Sequence, residues 1–261
     1  MPLPDEGNPA LVLRTPATAA AGDLPAAGDD GVRAVPVWAS PPDPPMLAML
    51  GETQADAPAA LRVLRHRLEL RRAEGLLTFA VTSARDGEGK STLAAQLALV
   101  LSEAQRARVL LVEASLERPT LARLLGFQVP AGLGFSVQIS RRMRGGSDPW
   151  AVLALGPALH ALVESEAEPG YPGALYAPHF RQAIDRLGRA YDWVIVDAPS
   201  VLGSGDANVV EEVVDGMIVV ARSRKSRATD LRAAMKQLGV RKAVGVVLWD
   251  GARAARPGRR S

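Results

Sequence analysis

The chain of 261 residues contains no cysteine, which excludes disulfides and thiolate metal sites. Its three histidines, His66, His160 and His179, lie far apart and show no metal-ligand spacing. Tyrosine is scarce as well: Tyr171, Tyr176 and Tyr191 are the whole set, and the arginine-rich C-terminal tail has none. No apolar run approaches the roughly 20 residues needed to cross a bilayer. The N-terminus carries acids and prolines where a signal peptide would have a basic patch and an apolar core. A cytoplasmic protein is expected.

What charge there is lies unevenly. The net charge is +3, but residues 1–58 hold eight acids against Arg14 and Arg33, a balance of −6 that leaves +9 on the remainder. A basic globular part fits an anionic partner such as a nucleotide, a nucleic acid, an acidic protein segment or a membrane surface, and equally fits a solvated arginine-rich surface.

The most informative stretch runs from Leu77 to Leu99. Leu77–Val81 is a short apolar strand, Gly87 and Gly89 break it, and Lys90-Ser91-Thr92 opens a helix with Leu93, Leu97, Val100 and Leu101 on an apolar period. Ala84 to Ser91 fits the phosphate-loop template, with Ala84 in place of the first glycine. Glycines let backbone N–H groups curl around phosphates, and the following helix N-terminus adds a favourable dipole. The predicted cofactor-binding residues are therefore Asp86, Gly87, Glu88, Gly89, Lys90, Ser91 and Thr92. Lys90 reaches the β and γ phosphates, and the Ser91 hydroxyl ligates Mg²⁺. Asp197 ends a later apolar strand, where such proteins keep a second, water-mediated Mg²⁺ acid.

Elsewhere, residues 1–58 are rich in Ala, Pro, Gly and Asp and read as disordered, with one short helical piece at Met46–Leu50. An amphipathic helix is expected over Ala59–Ala73. Strands are expected at Arg108–Glu113, Trp150–Leu155, Tyr191–Asp197, Gly216–Ala221 and Ala243–Trp249. Helices are expected at Pro119–Leu125, Pro178–Ala190, Asp206–Val214 and Thr229–Leu238, with His160–Tyr176 a long surface loop and residues 251–261 an unstructured tail. Residues 130–149 carry no clear pattern. The strand–helix alternation predicts one α/β domain over residues 59–250, a doubly wound, mainly parallel sheet with helices on both faces and ligands at the strand carboxyl ends.

Taken together, the lead-in helix Ala59–Leu70, the loop Thr82–Thr92, Leu110–Pro119 and Tyr191–Ser200 with Asp206-Ala207 resemble the bacterial tyrosine kinases of capsule and exopolysaccharide assembly. The resemblance implies ATP and Mg²⁺ as cofactors and γ-phosphoryl transfer to tyrosine, with Lys90, Glu113 and Asp197 as catalytic residues. It implies a cytoplasmic protein held at the inner membrane by a separate transmembrane polysaccharide co-polymerase, with no nucleic acid partner. Its departures are as informative. Glu113 stands where the family's first aspartate lies and Ser115 where the second does; the loop proline is Asp86; the C-terminal tyrosine cluster is missing. The ring-forming Glu-x-x-Arg-x-x-Arg is here Ala59, Arg62 and Arg65, which implies a weakened homo-oligomer. One alternative is a regulatory subunit that binds nucleotide without transferring phosphate. Another is a ParA/MinD-like positioning ATPase using Arg222, Arg224, Lys225, Arg227 and Arg232 on DNA or membrane, although the signature lysine at the loop start is absent. Trp249 ends the last strand as a packing residue or a base-stacking one.

Overall fold

In the computed structural model, residues 31–37, 56–103, 107–165, 173–176, 178–239 and 242–249 are described. They build eight strands in a single sheet: β1 (Val32–Pro36), β2 (Thr78–Ser83), β3 (Val109–Glu113), β4 (Trp150–Ala154), β5 (Leu159–Leu162), β6 (Trp193–Asp197), β7 (Gly216–Arg222) and β8 (Ala243–Trp249). The seven helices are α1 (Asp56–Arg72), α2 (Lys90–Ser102), α3 (Leu121–Leu125), α4 (Phe135–Met143), α5 (Pro178–Ala190), α6 (Asp206–Val213) and α7 (Ala228–Gln237).

The strand order is β1-β4-β5-β3-β6-β2-β7-β8. The strands β5, β3, β6, β2, β7 and β8 run parallel, and their central members are apolar throughout because helices cover both faces. One core layer joins Leu93, Leu97 and Val100 of α2 to Leu111 and Ile195, and the other joins Phe180, Ile184 and Leu187 of α5 to Leu110 and Val194. On the first layer Phe79 meets Trp193 edge to face at 5.9 Å. The helix α1 is pinned to α2 by Arg62 and Arg65, both on Glu103 at 2.9 and 3.3 Å.

Three stretches differ from expectation. The strand β1 lies inside the segment read as disordered; it pairs with β4 in parallel and buries Val32 and Val35. Five residues are too short a period to register in an Ala- and Pro-rich background, and the sheet edge supplies the missing partner. The expected loop at His160–Tyr176 instead contributes most of β5 and a single 3₁₀ turn, Ala174–Tyr176. β5 pairs antiparallel with β4, so β1 and β4 run against the other six strands. The unpatterned stretch 130–149 contains α4, whose N-terminal amide at Ser136 is held by buried Glu164 at 2.9 Å. Met46–Leu50 and residues 251–261 lie outside the described residues.

Candidate functional site

The strands β2, β3 and β6 end side by side, which brings the glycine loop, Ser115 and Asp197 to one edge. The β6–α6 connection crosses the end of β2: Thr82 donates to the Pro199 carbonyl at 2.6 Å, and Val201 and Leu202 donate to the Ser83 and Ala84 carbonyls. These bonds fix the approach to the loop. Two positions in the loop require glycine. Gly87 (φ 76°) and Gly89 (φ 102°) lie in the left-handed region that side chains disfavour. Ala84 has no such conformation, which is why alanine is tolerated where the template has its first glycine.

The loop's charged side chains are all engaged. Arg85 pairs with Asp230 of α7 at 2.7 Å, and Asp86 pairs with Arg118 at 2.9 Å, so the acid that replaces proline carries its own counter-charge. The Glu88 side chain is buried; it accepts from the Arg85 amide at 2.9 Å and from the Ser226 hydroxyl. Trp249 packs against the core, and its ring abuts Gly89, where an added Cβ would lie 3.2 Å from it.

Lys90 heads α2, with Nζ 3.4 Å from the Ser91 hydroxyl and 3.9 Å from Asp197 Oδ1. Asp197 has no exposed surface, and neither carboxylate oxygen has a hydrogen-bond partner. Burial pushes its carboxyl above the usual range, opposed by the Lys90 charge and by the Ser91 hydroxyl, which lies near the carboxylate without meeting hydrogen-bond geometry. A buried carboxylate without hydrogen bonds is costly, and coordination to a cation, directly or through water, removes the cost. The donor set of Ser91 and Asp197 fits Mg²⁺, which prefers few protein oxygens and retained waters. Ser91 opens onto a cavity of about 470 Å³ that is also lined by Asp86, Gly87, Lys90, Thr92, Ser115, Arg118, Thr120, Arg123 and Arg222, while the fully buried Asp197 is not part of its lining. That volume suits a mononucleotide.

Glu113 occupies a different kind of place. It is fully buried; Oε1 accepts from the Thr120 and Leu121 amides at 2.5 and 2.9 Å and Oε2 from the Glu164 amide at 3.1 Å. Burial raises its carboxyl to about 7, the bonds to Leu121 and Thr120 oppose that shift, and the neighbouring Asp197 charge adds to it. Its carboxylate anchors the start of α3 and does not line the cavity, whereas Ser115 does. Of the basic residues read as a docking patch, Arg222 and Lys225 turn to the loop instead: both donate to the Gly87 carbonyl, at 3.4 and 2.8 Å. Spacing along the sequence gave no signal for this contact, which depends on β7 lying next to β2. His160 contacts the Tyr191 hydroxyl at 2.6 Å. Among the described residues no cluster of three or more His, Cys, Asp or Glu side chains could hold a metal ion.

This architecture is that of the P-loop NTPases, with the glycine loop at the carboxyl edge of a mainly parallel sheet. By sequence the chain is similar to bacterial tyrosine-protein kinases. It is 32% identical over 159 residues to the tyrosine-protein kinase YwqD of Bacillus subtilis, covering 60% of this chain and 65% of that protein. It is 24% identical over 161 residues to the tyrosine-protein kinase CpsD of Streptococcus agalactiae, covering 61% and 67%. The chain thus spans 65% of the length of YwqD. The kinase domain of Escherichia coli tyrosine kinase ETK shares the fold, with a TM-score of 0.67 at 22% identity over 85% of this chain and 93% of that one. The Pyrococcus horikoshii septum site-determining protein MinD shares it less closely, with a TM-score of 0.54 at 20% identity over 66% and 69%. No protein-family model matches the chain.

Proposed function

We propose that this chain binds Mg-ATP in the cavity above Lys90 and Ser91 and serves capsule or exopolysaccharide synthesis, as its tyrosine-kinase relatives do. The observation that carries the reading is Asp197: a buried carboxylate without a hydrogen-bond partner, 3.9 Å from the loop lysine, beside a hydroxyl suited to Mg²⁺. Lys90 neutralises the β and γ phosphates, the amides between Gly87 and Ser91 cradle them, and Ser91 and Asp197 hold the metal. When bound, Mg-ATP supplies a transferable γ-phosphoryl group. On this reading Lys90 and Asp197 stabilise its departure, and tyrosine is the acceptor class.

A second reading has its own observation. The family's two acids beyond β3 are here Glu113, whose carboxylate is held by three backbone amides, and uncharged Ser115. A site so altered binds nucleotide while lacking a free carboxylate for the acceptor hydroxyl, which favours a nucleotide-gated regulatory subunit. Calorimetry with Mg-ATP tests binding, and labelled ATP with a tyrosine-containing acceptor tests transfer. Binding without transfer selects the regulatory reading; absence of binding refutes both.

No described helix is long and apolar enough to cross a membrane. The proposed partner is the cytoplasmic end of a separate transmembrane co-polymerase, which would hold the chain at the inner membrane. Co-purification with membranes that contain or lack such a partner tests this. Equal association in both would point to direct lipid binding, and retention on DNA would revive the positioning-ATPase reading. The lead-in arginines Arg62 and Arg65 are engaged with Glu103 of their own chain, which supports a weakened ring.

A further inference from the structure

The β7–α7 connection and the first turn of α7 grip the phosphate loop at three points. Asp230 holds Arg85, Lys225 Nζ holds the Gly87 carbonyl at 2.8 Å, and Ser226 holds Glu88. The connection is itself a tight turn. Lys225 and Ser226 donate their amides to the Arg222 carbonyl at 3.1 and 2.8 Å, and the Arg222 amide donates to the Ser226 hydroxyl at 2.7 Å. Arg224 adopts φ 62°, a left-handed conformation that a side chain enters only under constraint. The turn thus spends backbone strain to aim Lys225 at the loop.

The charges around the loop separate into two groups. Arg85 and Arg118 are compensated by Asp230 and Asp86. Arg222 and Lys225 form no ion pair among the described residues, and the acceptor they share is a neutral carbonyl. Arg222 also lines the nucleotide cavity. An ammonium on a flexible four-carbon stem exchanges a neutral acceptor for a charged one readily, because a hydrogen bond to an ionised oxygen is roughly twice as strong.

We propose that Lys225, assisted by Arg222, reads the phosphates of the bound nucleotide and favours the triphosphate over the diphosphate. Lys225 Nζ leaves the Gly87 carbonyl for a phosphate oxygen. ATP carries one more negative charge than ADP, so two uncompensated cations at the loop stabilise ATP more. The exchange also removes one of the three ties between the loop and the segment from Lys225 to Asp230, which reports the nucleotide state to α7. The inference rests on the nucleotide-binding reading and holds whether or not phosphate is transferred.

The test is calorimetry on the full chain with a non-hydrolysable Mg-ATP analogue and with Mg-ADP. Lys225→Met keeps most of the stem and removes the charge. It should weaken the triphosphate about tenfold, the size of one lost charge-assisted hydrogen bond, and the diphosphate less than about threefold. Adding Arg222→Met should bring the two affinities together. Ser226→Ala removes the tie to Glu88 and the acceptor of the Arg222 amide without altering charge; it should lower the melting temperature and narrow the affinity ratio less than Lys225→Met does. Equal loss for both nucleotides in Lys225→Met, or no loss for either, overturns the inference and makes Lys225 a structural clamp. If the unaltered protein binds neither nucleotide, the reading beneath the inference falls as well, and the two failures are told apart by that control.

Discussion

Glu113 and Asp197 are register partners on the adjacent strands β3 and β6, yet their carboxylates are treated in opposite ways. Three backbone amides hold the first, and no hydrogen bond reaches the second. Two equally buried acids at one sheet edge are thereby divided between structure and chemistry. The amides stabilise Glu113 where it is, while the lone pairs of Asp197 are left without a hydrogen-bond donor.

If Asp197 holds the metal, the Asp197→Asn variant should still bind ATP but lose the Mg²⁺ increment. Saturating Mg-ATP at 100 times Kd should stabilise the unaltered protein by about 2.7 kcal/mol. Thermal shifts with ATP alone and with Mg-ATP should coincide in the variant. A persisting Mg²⁺ increment would place the metal elsewhere.

Lys90→Ala should weaken ATP and ADP together by more than about tenfold, because it removes the cation nearest the phosphates. Isothermal titration reads this directly. Unchanged affinity would end the nucleotide-binding assignment.

The Glu113 shift predicts a pH dependence with a definite sign. Its folded pKa of about 7 exceeds the ordinary 4.5, so between those values the folded chain holds a proton that the unfolded chain has released. Stability from this group is full below about 4.5, declines as pH rises, and is gone above about 7. Glu113→Gln keeps an acceptor for the Thr120 and Leu121 amides and should flatten that slope in urea titrations. A slope unchanged in the variant would assign it to another group.

The two tyrosines among the described residues differ in access. Tyr191 is buried against His160, whereas Tyr176 is 62% exposed, with its hydroxyl bonded to Asp206. Asp206 lines a cleft that reaches back to Asp86 of the loop. Of these two, any preparation that labels itself on tyrosine should carry the label on Tyr176 and lose that site in Tyr176→Phe, as read by mass spectrometry. Label on Tyr191 would require the core around it to open.

The contribution of the edge strand can be weighed by truncation. A chain beginning at residue 31 should melt like the full one. A chain beginning at residue 38 should melt several degrees lower, having lost the buried side chains of Val32, Val35 and Val37 and the pairing with β4. Equal melting would mean that β1 contributes nothing to the core.

The central elements were legible because local pattern and burial agree in them. RVLLVE and YDWVIVD are apolar runs that suit only a strand covered on both faces, and the glycines before Lys90 mark a turn with a purpose. The edge was not legible. β4 was expected at Trp150–Leu155, but its neighbours β1 and β5 are short and draw their register from it, and no local period announces an antiparallel reversal. The site divided in the same way. Lys90, Ser91 and Asp197 were expected together by type and position and do lie together, while the engagement of Glu113 with α3 and of Lys225 with Gly87 depends on contacts 7 to 138 residues apart. Arg222 and Lys225 looked like free surface charge because sequence shows what a residue carries and not which neighbour it faces.

The reversed direction of β1 and β4 has a consequence for assembly. β1 begins at the sheet edge where β3 and β6 end, and its residue Val32 stands opposite Trp150 at that edge. Whatever is joined upstream of Gly31 is therefore tethered on the phosphate-loop side of the molecule and not behind it. A partner fused ahead of β1 would therefore share that end of the sheet with the phosphate loop, separated from it by the four strands between β1 and β2, and its effective concentration there would be set by the length of the leash.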